Sequence, residues 1–143
     1  LPLPDALALF LFVSGSDGSP KGVMVSHRSL GKSVASHAMG RTARDVSLAL
    51  APFSVMAVEL EALTPLALGG MVHIAPNDIT EDPELIARYV RDHGITSSVM
   101  SPSMAAAYLD IADGELPTLI VGMNRVGGIF SVITRVIPCF AAT

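Results

Sequence analysis

The sequence predicts an α/β fold, a parallel or mixed sheet with flanking helices, and three observations carry that expectation. Short apolar runs alternate with helix-period segments along the chain, which is the pattern of strand–helix–strand units and not of a bundle or a sandwich. Helix boundaries are punctuated where that alternation needs them: Asp82-Pro83 and Ser101-Pro102 are cap-and-proline starts, and Gly69-Gly70 and Gly94 are exits. A glycine- and serine-rich loop follows the first apolar run and is expected at an edge of the sheet, where ligands commonly sit.

Each element has a local reason. Ala6 to Val13 is the longest apolar run, and its stop at the loop predicts a buried strand over Leu7 to Val13. Gly22 to Val25 reads as a short second extended piece, and His27 to about Met39 as a helix with Ser26 as N-cap. Val46 to Ala51 is strand-like and leads through Pro52 to a mostly apolar helical run from about Val55 to Leu68. Gly69 and Gly70 end that run, and Met71 to Ala75 returns as a strand. The clearest helix is Pro83 to His93, with Asp82 as cap, Gly94 as left-handed exit, and Leu85, Ile86, Tyr89 and Val90 on its apolar face. Thr96 to Met100 follows as a strand, then a helix from Pro102 to near Gly114, then Leu119 to Val121 as a last strand. Nothing between Gly127 and Thr143 reads as an element.

At 143 residues the chain is one domain's worth of polypeptide, and half of it is hydrophobic. No apolar run reaches the length of a bilayer span, and Asp5 rather than a basic residue precedes the first one, so neither a membrane segment nor a signal peptide is expected. Thirteen acidic residues against nine basic ones, without a Lys or Arg cluster, argue against a nucleic-acid partner. The single Cys139 can form no internal disulfide, which makes the cytoplasm the expected compartment. His27, His37, His73 and His93 lie far apart without ligand-like spacing, so no metal site is expected. Asp110, Asp113 and Glu115 read as a solvated helix end, and Cys139 has no identifiable base partner.

The chemistry is concentrated in Ser14 to Leu30, SGSDGSPKGVMVSHRSL. Gly15, Gly18 and Gly22 let the backbone turn tightly and present N–H groups to an anion, Ser14, Ser16 and Ser19 add hydroxyl donors, and Lys21 adds a positive charge. This donor set suits phosphate. It is not a Walker A loop, which runs Gly-Lys-Ser/Thr straight into a helix, because Pro20 precedes Lys21 and Gly22 follows it; a short stand-alone kinase or ATPase is therefore disfavoured.

The string SGSxGxPKGVxxSHxxL resembles the signature loop of the adenylate-forming (AMP-binding) superfamily, which includes acyl-CoA ligases, luciferases and nonribosomal peptide synthetase adenylation domains. The resemblance implies a partial large N-terminal subdomain of such an enzyme, with residues 1–143 as a partial adenylation domain and 120–143 as its divergent end. It implies ATP and magnesium as cofactors, with Ser14, Gly15, Ser16, Gly18, Lys21 and Gly22 around the β- and γ-phosphates while a substrate carboxylate attacks the α-phosphate. Asp17 stands where most members have threonine. It is turned outward or coordinates magnesium, or the loop binds ATP poorly.

A second similar region runs from Leu50 to Pro76, where peptide synthetases tend to show Phe-Asp-x-Ser-x-x-Glu before a glycine-terminated helix. Counting back from Gly69 places Glu61 at the glutamate and Met56 at the aspartate, which assigns both to the substrate pocket; starting from Phe53 instead places Ser54 at the aspartate and Glu59 at the glutamate. Under both alignments the aspartate that pairs with an amino-acid ammonium is absent, which favours an aryl or fatty carboxylic acid. A third stretch, Gly94 to Met104, resembles the strand-to-helix turn that precedes part of the acyl pocket. The family's later adenine, ribose and catalytic-lysine motifs do not occur in the chain, so the polypeptide alone is expected to be inactive. The parent reaction implied is ATP-dependent carboxylate activation, with transfer to a carrier-protein phosphopantetheine or to coenzyme A. The alternatives are an acyl-CoA or aryl-acid ligase fragment, or a non-catalytic remnant that serves as an interaction element.

Overall fold

The computed structural model describes residues 2–14, 18–38, 41–52, 59–112, 118–121 and 131–134. Among them the strands form two separate sheets. The first is an antiparallel hairpin of β1 (Leu7–Ser14) and β2 (Pro20–Ser26). The second has five strands in the order β4-β3-β5-β6-β7, built from β3 (Val46–Ala49), β4 (Met71–Ile74), β5 (Ser97–Met100), β6 (Thr118–Val121) and β7 (Ser131–Thr134). β3, β4, β5 and β6 are mutually parallel, and β7 runs antiparallel to β6. The mixed α/β class is therefore as expected.

Helices connect the parallel strands because parallel neighbours need a crossover. A π-helical turn (Glu59–Leu63) and α2 (Thr64–Ala67) lie between β3 and β4, α3 (Pro83–His93) between β4 and β5, and α4 (Pro102–Ala112) between β5 and β6. α3 begins and ends where its sequence says. Asp82 Oδ1 accepts from the Glu84 and Leu85 amides at 2.9 and 3.2 Å, and Gly94 takes the left-handed exit at φ 61°. Ser101 Oγ likewise accepts from the Met104 amide at 3.3 Å to start α4. The stretch after Pro52 is π-helical where it re-enters the described residues. Pro65 offers no N–H to the Glu61 carbonyl, and the Thr64 hydroxyl instead donates to the Glu59 carbonyl at 2.8 Å.

The core lies between the sheet and the α3–α4 pair, where Leu48 and Met100 meet Ile86, Val90, Ala105 and Tyr108. Strand side chains alternate, so Ser47 and Ala49 turn to the opposite face, which the π turn covers with α1 (His27–Ser36) against it. The central strands β3 and β5 are covered on both faces, as buried parallel strands require, whereas the edge strand β4 leaves Met71 and Ile74 exposed.

Three expectations change. The Leu7–Val13 run is a strand, but it is not buried: Phe10 and Phe12 are 53% and 62% exposed, and only Leu11 is buried along it. A two-stranded hairpin has one face on its neighbours and leaves the other uncovered, whatever the hydrophobicity of the residues on it. The hairpin is a sheet of its own, so the described part of the glycine-rich stretch, Gly18 to Gly22, lies on this hairpin and not at an edge of the parallel sheet. Finally, β7 adds a strand in the stretch where the sequence shows no element. Helix α1 ends at Ser36, capped at its start by Ser26, and Met39 lies outside the described residues.

Asp82→Ala leaves two first-turn amides of α3 without their acceptor. Urea denaturation is expected to show a loss of about 1 kcal/mol.

Candidate functional site

The hairpin register brings two of the singled-out residues near each other. Ser14 pairs with Pro20 and Val13 with Lys21, so Lys21 stands beside the closing pair of the hairpin, exposed to solvent. Gly18 has φ 80°, a left-handed conformation that L side chains rarely adopt, and space around it is open. Gly22 has a different local cause. A Cβ there would meet the Phe10 ring at 2.8 Å, so the ring lies over the glycine from the neighbouring strand. Ser14 belongs to β1, whereas Gly15, Ser16 and Asp17 lie outside the described residues.

The open end of the hairpin is fastened to α1. Arg28 on that helix forms a two-point ion pair with Asp5 at 2.8 and 3.1 Å, and the Arg28 and His27 amides donate to the Pro4 and Ala6 carbonyls at 2.7 and 3.0 Å. The guanidinium holds the Asp5 carboxyl below its ordinary range. Both side chains are exposed, so this pair orients the hairpin more than it stabilises it.

A second site is set by sheet topology. From β3 the chain crosses to β4 on one side and then to β5 on the other, so the winding direction reverses between β3 and β5. In open α/β sheets the cleft at the carboxyl ends of the strands flanking such a reversal is the usual ligand position. The carboxyl end of β3 is where Glu61 acts. Its side chain is 2% exposed, and its Oε2 accepts from the Ala51 amide at 2.8 Å. Burial pushes the Glu61 carboxyl from an ordinary 4.5 up to about 7, while the Ala51 and Leu50 amides and the Arg41 charge pull the other way. Glu59, the glutamate of the alternative alignment, is also buried, and its Oε1 has no hydrogen-bond partner among the described residues. Met56 and Ser54 lie outside the described residues.

Sequence reasoning missed the winding reversal, because strand order is invisible in a linear chain, and it missed the proximity of Arg41 to Glu61. It also separated two histidines that the fold brings together. His73 on β4 and His93 on α3 have ring centroids 5.3 Å apart, with Tyr89 stacked on His93 at 3.9 Å. Among the described residues no group of three or more His, Cys, Asp or Glu could hold a metal ion. Cys139, Asp113 and Glu115 lie outside those residues, and Asp110 is exposed on α4. No helix among the described residues is long and apolar enough to cross a membrane.

The described residues thus define an α/β protein with a doubly wound sheet, preceded by an antiparallel hairpin that carries Gly18 and the exposed Lys21. The chain belongs to the AMP-binding enzyme family, whose pattern it matches over residues 1–127. It is 32% identical over 117 residues to vanchrobactin synthetase VabF of Vibrio anguillarum, a match covering 80% of this chain and 4% of that protein. It is 36% identical over 123 residues to phosphinothricin tripeptide synthetase PhsC of Streptomyces viridochromogenes, covering 83% of this chain and 11% of that protein. Among solved structures, the N-terminal subdomain of Klebsiella oxytoca NpsA in complex with 3-hydroxybenzoyl-AMSN superposes with a TM-score of 0.71 at 20% identity, over 92% of this chain and 41% of that one. The chain thus spans a small part of these synthetases and under half of the NpsA subdomain.

The position of Glu61 has a signed consequence for stability. Between about pH 4.5 and 7 the folded chain keeps a proton that the unfolded chain has released, so stability falls as pH rises through that window and levels off above it. The full effect is on the order of 3 kcal/mol. Urea melts across this range should show the decline in the wild type, and the difference between wild type and Glu61→Gln should isolate it.

Proposed function

We propose that this chain is the part of a nonribosomal peptide synthetase adenylation domain that holds the pyrophosphate end of ATP and one side of the acid pocket. The observation that supports the reading most directly is the hairpin, with Gly18 in the left-handed region and Lys21 exposed beside its closing pair. Ser14, Gly15, Ser16, Gly18, Lys21 and Gly22 would hold the β- and γ-phosphates of ATP, supplied as its magnesium complex. Bound there, ATP provides the activated phosphorus that a carboxylate attacks, releasing pyrophosphate. The residues of the hairpin would supply donors to the charge of the departing group, which is where such donors accelerate the step. Lys21 contributes a full positive charge, and the glycines contribute close backbone approach.

The acid would occupy the cleft between the carboxyl ends of β3 and β5, near the Met56 and Glu61 positions. With methionine or serine where amino-acid-activating relatives carry aspartate, the pocket has no partner for an ammonium group there, and an aryl or fatty acid is the substrate class we favour. The bound 3-hydroxybenzoyl compound in the NpsA subdomain accords with that class. The acyl group would then pass to a carrier-protein phosphopantetheine; a coenzyme A-dependent aryl-acid or acyl ligase is the alternative of the same chemistry. Residues 120–143 are the divergent end of the domain in this reading, although β7 shows that they still contribute a strand.

A non-catalytic interaction element is the second reading, favoured by the exposed face that Phe10, Phe12 and Met24 form on the hairpin. Thermal denaturation with magnesium–ATP separates the two. Stabilisation of about 1.4 kcal/mol at a tenfold excess over Kd, lost in Lys21→Ala, is the expected result for phosphate binding; no shift at millimolar ATP, together with concentration-dependent self-association, supports the second reading. In the intact enzyme, acid-dependent pyrophosphate exchange should fall about tenfold to a hundredfold in Lys21→Ala, the cost of one charge-assisted hydrogen bond.

A further inference from the structure

We infer that Glu61 is a positioning residue that ties the carboxyl end of β3 to the π turn and so sets one wall of the cleft at the winding reversal. The inference rests on the reading of that cleft as the acid pocket. Ladder pairing of β3 with β4 reaches Ala49, whose carbonyl still accepts from the Ala75 amide at 3.0 Å. Two residues further on, the Ala51 amide has passed the end of the paired strand, and it donates to Glu61 Oε2 at 2.8 Å. One side chain thus extends the order of β3 beyond the sheet and closes a ten-residue excursion of the chain.

Glu61 is the side chain that makes this contact, and not Glu59 two residues before it, whose buried Oε1 has no hydrogen-bond partner among the described residues. The surroundings suit a fixed role. The turn packs on β3, β5, α1 and α2. β3, β5 and α2 carry no titratable side chain, α1 carries His27, Arg28 and Lys32, and Arg41 supplies the attraction that reaches Glu61. What the tie needs is an acceptor and not a charge, because the carbonyl oxygen of a neutral acid accepts from an amide as well. The tie therefore persists through the titration of Glu61.

That distinction supplies the experiment. Glu61→Gln keeps an acceptor of the same length, whereas Glu61→Leu keeps bulk and removes it. Amide exchange of the full chain, followed by NMR at one pH, should show the Ala51 amide exchanging at least about tenfold faster in Glu61→Leu and within about twofold of wild type in Glu61→Gln. Equal rates in all three, or equally fast exchange in both variants, overturn the tie. Should Glu61→Leu fail to fold, the wild type suffices: the Ala51 amide resonance is expected to move with the Glu61 side-chain carboxyl carbon through one shared midpoint, and an Ala51 amide indifferent to that titration overturns the tie. In the intact enzyme, Glu61→Leu should raise KM for the acid about tenfold with KM for ATP unchanged, and Glu61→Gln should restore it. Accelerated Ala51 exchange with an unchanged acid KM overturns the pocket reading and not the tie.

Discussion

The central strand β3 has to be covered on both faces at once, and most of the structure answers that requirement. Leu48 is fully buried against the α3–α4 layer, while its neighbours Ser47 and Ala49 turn toward the π turn on the other side. A central parallel strand has no wet face, so the crossovers around β3 must deliver a helix to one layer or the other. The polar residues that this arrangement buries are mostly small. The Ser98 hydroxyl donates to the Leu48 carbonyl at 3.1 Å and adds a side-chain link between β5 and β3 at a position of their ladder, and the Thr96 hydroxyl accepts from the Val46 amide at 2.9 Å.

Arg41, Glu59 and Glu61 are the exceptions to smallness among the described residues, and Glu61 is the most deeply buried of them. A carboxyl group on the inner side of the sheet costs free energy in its charged form, and the shift of its titration toward neutrality records that cost. Retention of such a group is understandable if its contact with Ala51 organises the end of β3. The site and the core are then connected by one element: the π turn covers β3 with its backbone and apolar side chains and orders the strand's end with Glu61.

The hairpin obeys a different constraint. Gly18 takes a left-handed conformation that a turn there requires, and the arms on either side are stiff. Stiffness comes from antiparallel pairing over the length of β1 and β2, from the Phe10 ring over Gly22, and from the Asp5–Arg28 pair at its base. The same pairing leaves Phe10, Phe12 and Met24 without a partner layer among the described residues. An uncovered apolar face of this kind is consistent with a segment of a larger domain, and the share of the relatives that this chain spans agrees.

Local chemistry was legible residue by residue. Asp82, Pro83 and Gly94 determined α3 to its ends, because cap hydrogen bonds and left-handed exits depend only on neighbours a few positions away. The order of glycines, serines and lysine in Ser14 to Gly22 likewise carried the resemblance to the family that the chain belongs to, since a motif local in sequence needs no distant partner. What the linear chain could not contain was anything set by non-local pairing. Strand order, and with it the winding reversal between β3 and β5, followed from which strands met in space; so did the exposure of Phe10 and Phe12, which hydrophobicity alone had marked as buried. Glu61 shows the division most clearly. Its place in a motif was readable from spacing, but its burial and its bond to Ala51 exist only because tertiary packing brings the π turn onto the end of β3.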